Sequence, residues 1–264
     1  MKFQTHLINR RQKTGDSVNS FLRLAGILFL FAVADAPARA DDGTMAKPTQ
    51  SVPASKLHYL RDGKPDAVIL LAPPPLPGSS EQAADMEEVR TVYHTAASND
   101  VAIANSWKKF DAFTFTPAIG AFFVSNNLPK TAAFFHRVQT DAAAVTDNAK
   151  NFYRRPRPYS TDPSLANGKA EKSFSYPSGH STESMVLALV LADLFPDRRD
   201  AIIAEARSIG WHRVEIARHY PTDIYAGRVL ARAIVRQMKK SDKFQKDFAK
   251  AKAEIVTAQA AAKN

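Results

Sequence analysis

The chain has 264 residues and a formal net charge of +10, and its length suits one sizeable domain or two small ones. It contains no cysteine, which excludes disulfide bonds, thiolate catalysis and cysteine–zinc sites. The basic balance suits anionic ligands, but it is weak support alone because many proteins are basic without using that charge.

The first forty residues have the pattern of an export signal. Several basic residues precede the apolar run 24–34, which has about the length of a signal-peptide core and is too short to span a bilayer. Ala38-Arg39-Ala40 then provides a cleavage site. We therefore predict a secretory signal peptide over residues 1–40, cleavage after Ala40 and a periplasmic mature protein. An uncleaved membrane anchor is the alternative.

Residues 41–78 are rich in Pro, Asp and Gly and end in a Pro-Pro-Pro-Leu-Pro-Gly run at 73–78. This composition predicts an irregular N-terminal arm with little regular structure. A polyproline ligand for a partner protein is the alternative interpretation.

From residue 79 onward, apolar side chains recur at helical spacing and no useful stretch of β alternation is present. Ser79 or Ser80 can cap the first helix, and Pro129 can occupy the first turn of a long one. The lysines near the C-terminus alternate with alanines, which indicates a solvated helix face and no nucleic-acid binding. We predict a single all-α domain over residues 79–264. The predicted segments lie at about 79–97, 99–110, 117–124, 129–152, 180–194, 197–219, 222–238 and 242–262.

Lys150 and Arg157 form the first candidate anion-binding cluster. The prolines on either side of Arg157 break the helix, so Arg157 should lie in an extended loop while Lys150 ends the helix. The two cations could then approach one phosphate from different directions. An ordinary basic helix terminus is the alternative. Arg154 and Arg155 are interpreted as incidental neighbours.

Pro177-Ser178-Gly179-His180 opens the next predicted helix. Ser178 can cap that helix, Gly179 allows close approach of a ligand to the backbone, and the free N–H groups at the helix start attract anions. His180 could protonate a leaving alkoxide there. A helix cap with an incidental histidine is the alternative.

His219 and Asp223 form the third cluster, with Arg213 six residues before the histidine. We predict that Arg213 and His219 share a helix that ends near Tyr220. Asp223 could accept the Nδ1–H of His219 and leave Nε2 free to attack phosphorus. The alternatives are a surface hydrogen bond or a metal site that includes His212, but the neighbouring arginines would repel a cation.

The order and spacing of the three clusters resemble the signature of the type-2 phosphatidic acid phosphatase superfamily. Within it, the chain is most similar to bacterial class A non-specific acid phosphatases. The resemblance extends over about residues 70–235 and includes the Phe-Thr-Phe-Thr-Pro segment at 113–117. One position departs, because His212 stands where the signature has a serine. Whether it replaces the serine's hydrogen bond or changes the pH dependence is left open.

The resemblance implies an all-α fold and a nucleophile, His219, that forms a phosphohistidine and is oriented by Asp223. It also implies that His180 protonates the leaving group and then activates water. The residues expected to bind phosphoryl oxygens are Lys150, Arg157, Ser178, Gly179 and Arg213. We expect no metal or cofactor, small phosphomonoester substrates, acidic to mildly acidic working pH and a homo-oligomer. The pocket wall is expected to include His94, Phe122, Phe123 and Tyr176.

Three other functions fit the same clusters. A vanadium-dependent haloperoxidase would use them to hold vanadate, a mimic of the phosphoryl group in flight. A lipid or polyprenyl phosphate phosphatase would use the same chemistry, but the chain lacks the expected transmembrane segments. A non-catalytic periplasmic anion-binding protein would bind phosphate without turnover. The physiological substrate and the balance between hydrolysis and phosphotransfer are not determined by the sequence.

Overall fold

The computed structural model describes residues 57–61, 64–107 and 109–262. The predicted signal peptide and residues 41–56 of the predicted arm lie outside these ranges. The described residues form ten α-helices and no β-strand, so the predicted all-α class is confirmed. The helices are α1 (Ala67–Leu70), α2 (Ser80–Thr95), α3 (Ser98–Ser106), α4 (Thr116–Ile119), α5 (Pro129–Tyr153), α6 (Pro158–Thr161), α7 (Gly179–Leu194), α8 (Arg199–Glu215), α9 (Pro221–Met238) and α10 (Asp242–Ala261).

Local sequence signals set several helix starts. The Ser79 side chain accepts a hydrogen bond from the backbone N–H of Gln82 at 3.1 Å and caps α2. Pro129 occupies the first turn of α5, where its missing N–H costs nothing. Ser241 caps α10 in the same way as Ser79 caps α2. The predicted starts of α2, α5 and α10 are therefore confirmed.

The helix before the third cluster is shorter than predicted. We expected one helix over 197–219, but α8 ends at Glu215, and Ala217 has a left-handed backbone with φ of 51°. A residue in that conformation cannot continue a right-handed helix. Arg213 and His219 therefore lie on different elements, a helix end and the turn that follows it.

Two further segments are also shorter than predicted. The helix expected at 99–110 ends at Ser106. The apolar segment expected at 117–124 forms only the single turn of α4, which follows a 3-10 turn at Ala112–Phe115. A glycine at 120 with φ of 138° ends α4, and this backbone angle is accessible only to glycine at low cost.

Helix α7 lies at the centre of the bundle and packs against α5, α8 and α9. Most of its residues are buried, as expected of a helix that has protein on every side. The C-terminal ends of α5 and α8 lie beside the N-terminal ends of α7 and α9, so the three sequence clusters meet at one place. None of the described helices is long and apolar enough to cross a membrane.

The described part of the N-terminal arm is held against α5. Buried Asp141 accepts backbone hydrogen bonds from His58 at 2.8 Å, Tyr59 at 2.7 Å and Leu60 at 3.0 Å. Apart from the single turn of α1, described residues 57–61 and 64–78 contain no regular structure, as predicted for this stretch. Since a buried carboxylate needs such partners, the arm and α5 stabilise each other.

Candidate active site

All eight predicted site residues meet where the ends of α5, α7, α8 and α9 converge. Lys150 lies in the last turn of α5, and Arg157 lies just before α6. Ser178, Gly179 and His180 are at the start of α7. Arg213 lies in the last turn of α8, His219 in the turn that follows it, and Asp223 in the first turn of α9. Six of them are buried, and Gly179 and His180 are partly buried.

His219 is held by a carboxylate on one side and a guanidinium on the other. Its Nδ1 lies 3.2 Å from Asp223 Oδ2, and its Nε2 lies 3.2 Å from Arg157 Nη1. Because a guanidinium only donates hydrogen bonds, Nε2 is the accepting nitrogen and Nδ1–H points to the carboxylate. Burial, then Arg157 and Lys150, lower the pKa of His219 well below its usual range. The Nε2 lone pair therefore faces the cations.

Asp223 is completely buried and fully hydrogen-bonded. Its Oδ1 accepts from Arg155 Nη1 at 2.7 Å, and its Oδ2 accepts from Ser175 Oγ at 2.5 Å and from the Tyr220 N–H at 3.0 Å. Burial raises the pKa of Asp223, while Arg155 and these hydrogen bonds oppose the increase by stabilising the carboxylate. The carboxylate that orients His219 is thus itself oriented from three directions.

Arg155 was interpreted from the sequence as an incidental neighbour of the site, and this interpretation is wrong. It joins Asp223 to Asp85 of α2, which accepts from Arg155 Nη2 at 2.7 Å. Its guanidinium also lies 3.8 Å from the centroid of the Tyr220 ring. No local sequence pattern indicates this, because the two carboxylates are 68 and 70 residues away along the chain.

Lys150 and Arg157 are oriented by backbone carbonyl groups. Lys150 Nζ donates to the Phe174 carbonyl at 2.6 Å, and Arg157 donates to the carbonyls of Ser173 and Arg218, each at 2.9 Å. Burial, followed by repulsion from Arg157, lowers the pKa of Lys150 to about 8. Both cations are therefore charged and fixed in position at neutral pH before any ligand arrives.

The start of α7 offers space beside these cations. Ser178 caps α7, and its N–H donates to the Asp223 carbonyl at 3.0 Å. A Cβ at Gly179 would lie 3.6 Å from Glu183 Oε1 and 3.8 Å from Lys150 Cε, which are ordinary contacts. Protein packing therefore does not require a glycine there, and its absence of a side chain leaves room for a ligand at the helix N-terminus.

A second glycine has a different role. Gly227 of α9 faces the first turn of α7, where a Cβ would lie 2.9 Å from the Ser178 carbonyl oxygen and 3.0 Å from Ser181 Cβ. These distances are too short for any larger residue without movement of the helices. Gly227 therefore sets the close approach of α9 to α7, a role that the sequence does not signal.

His180 is the least constrained member of the site. Its Nε2 lies 3.0 Å from the Trp107 carbonyl oxygen and so donates to it. Its ring centroid lies 5.3 Å from that of Phe110. Burial, followed by repulsion from Arg213, lowers the pKa of His180 to about 3. The neutral form of the ring is therefore favoured in the free protein.

Arg213 pairs with Glu171, which the sequence did not single out. The Glu171 carboxylate contacts Arg213 Nη2 with one oxygen, and its other oxygen lies 2.7 Å from Arg157 Nη2. Burial opposes ionisation of Glu171, but the two arginines outweigh it and lower its pKa. A carboxylate thus bridges two of the predicted phosphate-binding cations.

His212, which replaces the serine of the signature, does not contact any predicted phosphate ligand. Its Nδ1 contacts Glu215, its Nε2 lies 3.2 Å from Ser208 Oγ, and its ring centroid lies 5.0 Å from that of Trp107. It therefore packs on the residue whose carbonyl accepts from His180.

A cleft of about 1010 Å³ opens onto this site. His180, Arg213 and Glu171 line it together with Tyr93 and His94 of α2. The expectation for His94 is therefore confirmed.

Three other expected wall residues do not line this cleft. Phe122 and Phe123 pack near Phe195, with the Phe123 and Phe195 ring centroids 5.5 Å apart. Tyr176 packs on Tyr153 at 5.0 Å between centroids.

Among the described residues, no group of three or more His, Asp or Glu side chains could hold a metal ion.

Comparison with known proteins identifies the family. The PAP2 superfamily pattern matches residues 138–245, a range that includes all three clusters. A non-specific acid phosphatase of Providencia stuartii is 30% identical over 214 residues, which cover 75% of this chain and 85% of that protein. An acid phosphatase of Zymomonas mobilis is 28% identical over 222 residues, which cover 81% and 83%.

A solved structure, that of a transmembrane PAP2-type phosphatidylglycerolphosphate phosphatase from Bacillus subtilis, is 18% identical with a TM-score of 0.44, covering 66% of this chain and 89% of the other. The relative from Providencia stuartii reaches 30% identity over most of both chains. The protein therefore belongs to the PAP2 superfamily, among its bacterial class A non-specific acid phosphatases.

Proposed function

We propose that this protein hydrolyses small phosphate monoesters through a phosphohistidine at His219, without a metal ion. The observation that supports this most directly is the orientation of His219, whose Nδ1 faces Asp223 and whose Nε2 faces Arg157. A histidine with this tautomer and a lone pair directed at a cluster of fixed cations is arranged to attack a bound phosphoryl group.

The phosphoryl group would lie among Lys150, Arg157, Arg213 and the start of α7. Charge accumulates on its equatorial oxygens in the transition state, and these cations and helix N–H groups are already in place to stabilise it. Because the backbone carbonyls hold Lys150 and Arg157, little reorganisation is needed at the moment of reaction.

In the first step, Nε2 of His219 forms a bond to phosphorus while the bond from phosphorus to the leaving oxygen breaks. His180 gives its proton to that oxygen, so an alcohol leaves. The free protein disfavours charged His180, since its pKa is lowered to about 3. The negative phosphoryl group favours the charged ring, opposes both the effect of burial and the repulsion from Arg213, and so raises the pKa of His180 in the complex.

In the second step, neutral His180 removes a proton from water and the hydroxyl attacks phosphorus. The bond from Nε2 to phosphorus then breaks, releasing phosphate and returning His219 to its starting state. The Nδ1–H to Asp223 bond stabilises the charged ring that exists between the two steps. An alcohol in place of water would give phosphotransfer by the same route.

The substrate range, the export and the oligomeric state of the protein are also parts of this proposal. A broad range of small substrates fits a cleft of about 1010 Å³ that is lined by both polar and aromatic side chains. Export to the periplasm with removal of residues 1–40 rests on the basic, apolar and Ala-Arg-Ala pattern. Assembly into homo-oligomers stays a prediction.

The test measures hydrolysis of p-nitrophenyl phosphate in EDTA between acidic and neutral pH, with trapping of the phosphoprotein by acid-free quench and mass spectrometry. We expect turnover to survive EDTA, phosphate to be found on His219, and His219→Ala to lose at least about a thousandfold in kcat. His58→Ala, in the arm away from the cleft, is the matched control and should keep full activity. Absence of turnover in the unaltered protein, or equal turnover in His219→Ala, would overturn the proposal.

A further inference from the structure

The position of Glu171 is not explained by the two-step reaction. Its carboxylate bridges Arg157 and Arg213, two side chains assigned to phosphoryl oxygens. Two guanidinium groups around one anion are the usual arrangement for phosphate recognition. Glu171 thus makes the contacts that a phosphoryl group would make.

The backbone around Glu171 is firmly held. Arg218 donates to the Lys169 carbonyl and to Asn167 Oδ1, both at 3.1 Å. The Glu171 N–H donates to Tyr159 Oη at 3.0 Å. Because these bonds hold the main chain at Glu171 and just before it, movement of the Glu171 carboxylate needs only rotation of its own side chain.

The Glu171 side chain also has somewhere to go. It is 33% exposed, whereas the Arg157 and Arg213 side chains are 3% and 5% exposed. It lines the open cleft, so a rotated carboxylate can become hydrated. Arg157 cannot follow it, since its guanidinium is bonded to the carbonyls of Ser173 and Arg218.

We infer that Glu171 is an internal anion that occupies the phosphoryl site of the free protein and must be displaced by the substrate. The inference rests on the proposed function, because it requires Arg157 and Arg213 to bind the phosphoryl group. A phosphoryl group offers three oxygens to the two arginines, Lys150 and the α7 N-terminus. A simple carboxylate offers two, so it binds the open site more weakly than a phosphoryl group does.

Displacement lowers the apparent affinity for every anion by the fraction of molecules in which the site is open. Ion pairs that are partly exposed are modest in strength. We therefore expect Glu171→Gln, which keeps the shape and removes the charge, to bind inorganic phosphate roughly five- to tenfold more tightly. The gain should be the same for acetate as for phosphate, since both anions bind only after the Glu171 carboxylate has moved.

The experiment is isothermal titration calorimetry of inorganic phosphate, and then acetate, into the full protein at one pH and low salt. Glu215→Gln is the matched control, because it removes the same charge from the same cleft without an arginine partner among the described ion pairs. We expect the control to change phosphate affinity by less than about twofold.

The sign of the change decides the inference. If Glu171 only holds the two arginines in place, Glu171→Gln will bind phosphate more weakly, and an unchanged or weaker affinity overturns the inference while leaving the proposed function intact. No binding by either the unaltered protein or Glu171→Gln overturns both. Should Glu171→Gln melt early by circular dichroism, Glu171→Asp, which keeps the charge but shortens its reach, is expected to gain about twofold, and a loss there counts against the inference.

Discussion

The two histidines of the site are held in very different ways. His219 contacts Asp223 and Arg157, and behind Asp223 stand Ser175, Tyr220 and Arg155. His180 has one hydrogen bond, to the Trp107 carbonyl, and borders the open cleft.

This difference follows from the two proposed tasks. A nucleophile gains from being fixed in one tautomer and one orientation before the substrate binds. A proton donor must change its charge twice in each cycle, so a ligand that changes its pKa takes part in its task. The rigid half around His219 thus supplies geometry, and the half around His180, which borders the cleft, responds to the ligand.

The largest effect is expected on the rigid half. Asp223→Asn keeps the side-chain shape but replaces the carboxylate that accepts Nδ1–H, so the His219 tautomer is no longer enforced. We expect kcat for p-nitrophenyl phosphate to fall about 10³- to 10⁴-fold. Ser175→Ala, which removes only one hydrogen bond to the same carboxylate, should cost about tenfold. A loss below tenfold in Asp223→Asn would show that the rigidity is not catalytic.

The support behind Asp223 can be removed separately. Arg155→Met leaves Asp85 and Asp223 buried with no guanidinium between them, and loss of one partner of a buried ion pair lowers the free energy of unfolding by about 3–5 kcal/mol. Urea denaturation measures this. Arg154→Met is the control: this neighbour is exposed and should change stability by less than about 0.5 kcal/mol.

The proton donor can be tested through the leaving group. His180→Ala should lower kcat/KM, which reports formation of the phosphohistidine and not its hydrolysis, by about 10²- to 10⁴-fold for an alkyl phosphate, whose alkoxide needs a proton to leave. The loss should be much smaller for p-nitrophenyl phosphate, since nitrophenolate leaves without one. His219→Ala should affect both substrates alike. An equal loss on both substrates in His180→Ala would contradict its role as the acid.

The two glycines separate packing from ligand space. Gly227→Ala forces a Cβ to within 2.9 Å of the Ser178 carbonyl oxygen, and we expect it to lower the free energy of unfolding by about 1–3 kcal/mol. Gly179→Ala makes only ordinary protein contacts, so it should melt near the original temperature but bind inorganic phosphate more weakly. Thermal melts and phosphate inhibition of turnover check both; early melting of Gly179→Ala would argue for a packing role instead.

The smallest expected effect is a pH dependence of anion binding that Lys150 causes. Its pKa is lowered to about 8, so the ammonium holds an anion below pH 8 and loses its charge as the pH rises above that value. Inhibition by sulfate, whose own charge is constant in this range, should weaken about tenfold between pH 7 and pH 9. In Lys150→Arg the guanidinium stays charged, so sulfate inhibition should no longer weaken between pH 7 and pH 9. A flat profile in the unaltered protein would show that Lys150 does not titrate there.

Much of the fold was predictable because its signals are local. Ser79, Pro129 and Ser178 mark helix starts through bonds within a few residues. The end of α8 was predicted wrongly because the left-handed turn at Ala217 has no glycine or asparagine to signal it.

The site was predictable only where it follows the family signature. Arg155, Glu171 and Trp107 lie outside that signature, and each acts through a partner more than 40 residues away along the chain. The spacing of residues within a motif gives no information about such contacts. The sequence therefore indicated which groups come together at the proposed phosphoryl site, but not the side chains that hold them or the carboxylate that bridges Arg157 and Arg213.

The bond between Arg155 and Asp85 limits how this chain can be divided. The matched family region begins at residue 138, yet Asp85 and Trp107 precede it. Asp85 binds Arg155, which in turn binds the Asp223 carboxylate beside His219. The Trp107 carbonyl accepts the hydrogen bond from His180. A fragment cut at the family boundary would contain every motif and lack both supports. Domain grafts or minimal versions of this phosphatase should therefore begin before α2.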